Sequence, residues 1–469
     1  MGENGFIGRR SELESLEAAY HKSGGRLVAV YGRRRIGKSA IAKKFCTGKS
    51  ALVFEALEKK PTSQQIGHFT SQLKTQIDDP LLKQLQFASW QEVFGFLTEY
   101  LRRKSGKTVV FFDELPWMAV GRTGLVSLLK FYWDNHWKNL DVMLILCGSI
   151  NSFMVKNVIR SKALYGRFSL EMKIDEFSPK EVHLMLGRKR SKDEALKYLM
   201  TLGGVPKYLE EVNTSRSFSQ NMNEILFTKH GAMINEIDRI FYSQFKEPQN
   251  YRRIAKVLSS GPLSMDGISR KTGMSSGGGL AYYLENLELA GFIGIHAPFD
   301  RGPDSRLRKY KLVDAYLLFY FKYIEPNMRV IRDNARTDLF RTLVEPVWKP
   351  WTGIAFENMC LKNHVAISSA LGFEGEVVWF GPYWERGEKG FQIDLLFRRA
   401  DKVLTLCELK YSDKPLGPEI IPEVERKCQL IRVPRGFTLE RAVIAPYGIT
   451  AEVEKSGYFH HVMTLEDFF

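Results

Sequence analysis

Cysteine is scarce in this sequence, with five residues in 469 (Cys46, Cys147, Cys360, Cys407 and Cys428) and no C-x-x-C pair. A dispersed, odd-numbered set lying mostly inside apolar runs excludes a disulfide framework and suits a reducing compartment. Long apolar runs are missing too: stretches such as Val142–Cys147 fall far short of the roughly 20 residues that span a bilayer. The start, MGENGFIGRR, has no apolar segment of the secretory kind, and no lipid-anchor signal is visible. The expectation is a cytoplasmic protein with no membrane partner. Acid is in deficit, with 53 Asp and Glu against 68 Lys and Arg and a net charge of +15. That excess favours a polyanionic partner, DNA first, although charge spread evenly over a surface gives the same sum.

What is present suffices for folded domains: 44% of residues are hydrophobic and 12% aromatic, which excludes extensive disorder. The chain is also too long for a single core. Over residues 1–180 the runs LVAVYG, ALVFEA, TVVFFDE and VMLILCGS alternate with amphipathic stretches. That alternation predicts a parallel sheet covered by helices on both faces. Residues 181–249 read as helices. Residues 250–315 read as three helices and two strands, the order of a winged helix. A helical, aromatic-rich joint (316–350) follows, and 351–469 is α/β again.

Gly32-Arg-Arg-Arg-Ile-Gly37-Lys38-Ser39 fits the pattern G-x-x-x-x-G-K-[ST] between an apolar strand and a helical stretch. Gly32 and Gly37 let backbone N–H groups turn inward on phosphates, Lys38 reaches the terminal phosphates, and the Ser39 hydroxyl takes Mg²⁺. Arg33–Arg35 read as a solvated arginine crest. A second apolar strand, Val109–Phe112, ends in Asp113 and Glu114, pointing into the same crevice. Asp113 is expected to hold Mg²⁺ through water, and Glu114 to act as base on the attacking water. A third strand ends in Ser149, which either senses the γ-phosphate or belongs to an ordinary turn. Arg167 is a candidate arginine finger, in cis or from a neighbouring subunit of a homo-oligomer, with a structural ion pair as the competing reading.

In the winged-helix segment, the third helix suits a major groove. The hairpin between Phe299 and Arg308 is expected to carry Arg301, Arg306 and Arg308 towards phosphates; protein contact is the competing use. Farther on, Asp394 in FQIDLLF with Glu408 and Lys410 in VLTLCELKY gives D-x(13)-E-x-K on two adjacent strands. Glu408 and Lys410 share a strand face while Leu409 enters the core. Carboxylates converging with an ammonium can bind Mg²⁺ and orient a water against a phosphodiester. Glu357, on an upstream amphipathic helix, adds a further acid.

FIGRRSEL (6–13), GRRRIGKS, FFDE, the GS after the third strand and GGVPKYL (203–209) together resemble the prokaryotic, mainly archaeal, AAA-type P-loop ATPases close to the signal-transducing STAND class. The resemblance implies ATP and Mg²⁺ as ligands. It also implies that Phe6, Gly8 and Arg9 lie against adenine, that Pro206 packs on the base from a helical lid (181–249), and that Ser149 is the sensor. No usual second-sensor arginine is visible in that lid; Lys207 is the nearest candidate. Residues 351–469 resemble the PD-(D/E)XK, restriction-endonuclease-like fold, with Ile393 in place of the proline. This second resemblance implies Glu357, Asp394 and Glu408 as metal ligands and Lys410 as the catalytic lysine. The architecture expected is therefore α/β: ATPase core (1–180), lid, winged helix (250–315), joint and nuclease-like domain. Its expected function is ATP hydrolysis coupled to DNA binding and metal-dependent cleavage. The alternative is a STAND-like nucleotide switch whose nuclease-like domain only binds or packs.

Overall fold

A computed structural model describes residues 6–119, 124–149, 154–187, 189–299, 305, 307–333, 338–385 and 390–469. Its first strands are the apolar runs of the sequence: β1 (Arg26–Gly32), β2 (Ala51–Glu55), β3 (Thr108–Asp113) and β4 (Val142–Ser149). A fifth, β5 (Leu170–Ile174), was not legible as a strand. It lies at the sheet edge, where only one neighbour is needed and charged residues interrupt the apolar pattern.

The five strands form one all-parallel sheet in the order β2-β3-β4-β1-β5. Both faces are buried, as the continuous apolar runs require. Alternate residues serve opposite faces. Leu27, Phe54, Val110, Phe112, Leu144 and Leu146 pack on one side, and Val28, Val30, Val109, Phe111, Ile145 and Cys147 on the other. The carboxyl ends of β1, β3 and β4 therefore carry Gly32, Asp113 and Ser149 to one edge of the sheet, where open α/β sheets bind ligands.

The chain divides into two compact units, Met1–Asp175 and Glu176–Phe469. In the second unit, the helical region and the C-terminal domain share one apolar cluster running from Phe177 to Phe468. The segment expected to be a winged helix contains helices Pro248–Leu258, Met265–Thr272 and Gly278–Leu289 and an antiparallel hairpin of β6 (Ile293–His296) and β7 (Lys309–Leu312). The C-terminal sheet contains β8 (Val377–Glu385), β9 (Phe391–Arg399), β10 (Val403–Leu409), β11 (Thr438–Ile444) and β12 (His461–Met463). Their order is β12-β11-β10-β9-β8, with antiparallel pairs from β8 to β10 and parallel ones from β10 to β12. Helices Trp348–Lys362 and Ile420–Leu430 accompany this mixed sheet. No helix among the described residues is long and apolar enough to cross a membrane.

Candidate functional site

The loop after β1 is shaped by two glycines for different reasons. A Cβ on Gly32 would stand 2.3 Å from the Ile174 carbonyl oxygen on β5, so the strand can pass there only without a side chain. Gly37 takes φ 90° at the N-terminus of helix Lys38–Cys46, a conformation that L side chains rarely adopt. No side chain caps this helix, and the uncapped N–H groups and positive dipole end of a helix N-terminus favour an anion.

Lys38 is 5% exposed, and its ammonium donates to the Arg33 carbonyl at 2.9 Å and to Ser149 Oγ at 3.4 Å. Ser149 Oγ in turn donates to Glu114 Oε1 at 3.0 Å. Ser39 Oγ donates to Asp113 Oδ1 at 2.9 Å, so the hydroxyl and carboxylate expected to share a cation are already neighbours. Asp113 is 3% exposed. Glu114 adopts φ 53°, turning the chain out of β3 and leaving its carboxylate beside Ser149. Gly148 completes the junction: a Cβ there would meet Pro116 Cδ at 2.6 Å and Met154 Sδ at 2.8 Å.

A second cluster lies in the C-terminal domain. Glu408, on the central strand β10, is 0% exposed. Its Oε2 accepts from Lys427 Nζ at 2.5 Å, and its Oε1 lies 3.3 Å from Lys410 Nζ. Lys410 also donates to Glu423 Oε1 at 2.9 Å. Asp394, on β9, accepts from Gln392 Nε2 at 3.4 Å and from the Leu409 N–H at 3.5 Å. Burial pushes the Glu357 carboxyl up to about 7, with the charge of Asp394 adding to the effect.

Residues 6–212 match a family model described as an ATPase domain found predominantly in Archaea. An uncharacterized ATP-binding protein of Methanocaldococcus jannaschii is 43% identical over 44 residues, 9% of this chain and 75% of that protein. The chain belongs to this predominantly archaeal P-loop ATPase family. A longer, uncharacterized protein of the same organism is 25% identical over 418 residues, covering 87% of this chain and 88% of its own length. The Walker-type ATPase of Pyrococcus abyssi shares the fold, with a TM-score of 0.50 at 19% identity over 68% of this chain and 96% of that one. Residues 320–422 of the ATPase match a second model, described as archaeal and bacterial proteins of unknown function.

Several expected residues of the ATPase take other partners. Arg9 is 4% exposed, and its guanidinium donates to the carbonyls of Ile36 and Asp175 at 3.1 and 2.7 Å. It thus braces the phosphate loop, while Gly8 supplies the preceding left-handed turn (φ 66°) and Phe6 packs on the core beneath β1. The arginine crest is corrected at Arg33, which is 6% exposed; the left-handed turn at Arg35 (φ 71°) separates the three side chains. Arg167 holds Asp134 with Nε and Nη2 at 2.7 and 2.9 Å, and this ion pair lowers the Asp134 carboxyl to about 2. A finger role would require that pair to open. Pro206 opens the short helix Pro206–Leu209 in the second unit. There Glu176 accepts from the Gly204 N–H at 3.2 Å and from Lys362 at 2.7 Å, and Lys207 pairs with Glu210.

Of the expected metal set, Glu408 lies on the middle strand β10 with no exposed surface. Among the described residues, no group of three or more His, Cys, Asp or Glu side chains is arranged to hold a metal ion. Lys427, 7% exposed, was missed; the available signal was its i,i+4 spacing from Glu423 on an amphipathic helix. Of the wing arginines, Arg301 and Arg306 lie outside the described residues, and Arg308 lies over the Tyr310 ring of its own hairpin.

The raised Glu357 carboxyl makes stability fall with pH. A carboxyl near 7 in the folded state and 4.5 as its ordinary value favours folding fully below pH 4.5, and that advantage is lost as pH rises through 7. Glu357→Gln should therefore be more stable than wild type at pH 8, on the order of 2 kcal/mol, with the difference closing towards pH 4.5. Thermal melts across that range check it; a pH-independent difference would contradict the assignment.

Proposed function

We propose that this ATPase is a magnesium-dependent ATP hydrolase acting as a nucleotide switch, and that its C-terminal domain binds or packs without cutting. The observation carrying the switch is the chain from Lys38 through Ser149 to Glu114. With Ser149 donating to Glu114, the carboxylate is held and partly neutralised. When Ser149 turns to a γ-phosphate, Glu114 is released to orient a water and take its proton. Ser39 and Asp113 are the residues that would hold magnesium, whose charge would neutralise the terminal phosphates. Arg9 would act through the loop it braces, with Phe6 and Gly8 as the groups of the first unit for the base. Calorimetry tests the reading: folded protein should bind ATP with magnesium present, and indifference to both ATP and ADP would sink it.

For the C-terminal domain, the support is the pairing of the buried Glu408 with two ammonium groups, Lys427 at 2.5 Å and the partly exposed Lys410 at 3.3 Å. DNA remains the partner class that a net charge of +15 suits, and nucleotide-dependent self-association suits the switch. Plasmid incubated with Mg²⁺ or Mn²⁺, with and without ATP, should be left intact by wild type and Asp394→Ala alike. Nicking by wild type that Asp394→Ala abolishes would establish the rival reading, a metal-dependent nuclease with Lys410 as its lysine.

A further inference from the structure

Strand β2 lies at one edge of the parallel sheet, so the outward backbone groups of its alternate residues meet no neighbouring strand. Three glutamines of the helix Thr62–Gln76 take those groups instead. Gln76 Oε1 accepts from the Val53 N–H at 2.7 Å, and its Nε2 donates to the Val53 carbonyl at 2.8 Å. Gln72 does the same for Glu55, at 2.8 and 3.0 Å, and Gln65 for Leu57, at 3.0 and 2.6 Å. Each carboxamide presents an acceptor and a donor where an adjoining strand would present its peptide groups.

Gln65 differs from Gln76 in what it holds. It is 2% exposed, and its Nε2 also donates to the Lys60 carbonyl at 3.3 Å, so the turn from Leu57 to Lys60 closes around one buried side chain. Ala56, the residue before that turn, donates its N–H to the Asp113 carbonyl at 3.2 Å. This carbonyl belongs to the peptide joining Asp113 to Glu114. The N–H of the same peptide donates to Asp113 Oδ1 at 3.1 Å, and Glu114 beyond it holds φ 53°. A left-handed conformation at a residue other than glycine persists only where its surroundings fix it. Val53, held by Gln76, lies opposite Phe111, two residues short of the acid.

We propose that Gln65 is a positioning residue of the ATPase site, holding the turn that orients the Asp113–Glu114 peptide and, through it, both carboxylates. That peptide is bonded to the Cα of each acid, so its rotation re-aims the two side chains together. Without Gln65, Leu57 and Lys60 lose the partner that fixes the turn, and the Ala56 N–H loses its fixed aim on the peptide. Lys38 and the phosphate loop take no bond from Gln65, so nucleotide binding should survive while turnover suffers. The inference rests on the ATPase reading and adds to it a residue from outside the motifs.

Calorimetry and single-turnover hydrolysis of Gln65→Leu and Gln76→Leu test it. Both variants lose a two-point clamp between the same helix and the same strand, so both should lose stability. A merely structural role would end there. Gln65→Leu should bind ATP with magnesium within about 3-fold of wild type and hydrolyse it at least ~10-fold more slowly. Gln76→Leu should hydrolyse it within about 3-fold of wild type. An active wild type with both variants slowed alike, or neither slowed, overturns this proposal and leaves the ATPase reading standing; a wild type that neither binds nor hydrolyses ATP overturns both. Should Gln65→Leu fail to fold, hydrogen exchange on wild type decides instead. ATP with magnesium should slow exchange of the Ala56 and Leu57 amides and leave that of Val53 unchanged, and an equal change at all three, or none, overturns the proposal.

Discussion

Glu114→Gln should bind ATP as wild type does and hydrolyse it more slowly by at least about 100-fold, the usual contribution of a positioned base. Glutamine keeps the length of the side chain and can still accept from Ser149, which donates to Glu114 Oε1 at 3.0 Å. It cannot take a proton from water. The left-handed turn at position 114 (φ 53°) is the same for both residues, so the fold is not the variable. Lys38→Ala separates the two steps: its ammonium, held over the loop by the Arg33 carbonyl and Ser149, is the group that would meet the terminal phosphates, and its loss should remove binding itself. Phosphate release in single turnover, together with calorimetry, measures both. Glu114→Gln hydrolysing within about 3-fold of wild type would assign the base elsewhere.

The second large effect is on stability. Lys427→Met should cost about 3 kcal/mol or more in urea denaturation, because it leaves a carboxylate with no exposed surface short of its nearer cation. Lys410, 3.3 Å from Glu408 and itself shared with Glu423, cannot replace an ammonium at 2.5 Å. Pairing Lys427→Met with Glu408→Gln should recover most of the loss, since removing both charges removes the penalty of burying one. If the double variant is no more stable than Lys427→Met alone, the damage is to packing and the ion pair is incidental.

The parts of this molecule that could be read from sequence are those written in consecutive residues. The phosphate loop, the acids ending β3 and the serine ending β4 each occupy one short stretch whose neighbours dictate its geometry. The three central strands, β3, β4 and β1, declared themselves as unbroken apolar runs because both faces of the sheet are buried, and β2, at one edge, is apolar up to its last residue. β5 did not, because an edge strand with LEMKI alternation satisfies the same ladder with half the burial. Side-chain partnerships across long separations were illegible for a different reason. Arg9 with Asp175, Arg167 with Asp134 and Glu408 with Lys427 depend on where the chain returns, and no local pattern specifies that. Acids and lysine at D-x(13)-E-x-K spacing look the same whether they line a cleft or are closed upon by a helix; only the burial of β10 separates the two cases.

Glu176 opens the second unit with one carboxylate gripping two distant stretches, the Gly204 N–H and Lys362. Lys362 is the last residue of a 15-residue helix that also carries Glu357. One carboxylate at the start of the second unit therefore ties the turn before Pro206 to the helix that bears the most strongly raised acid of the C-terminal cluster.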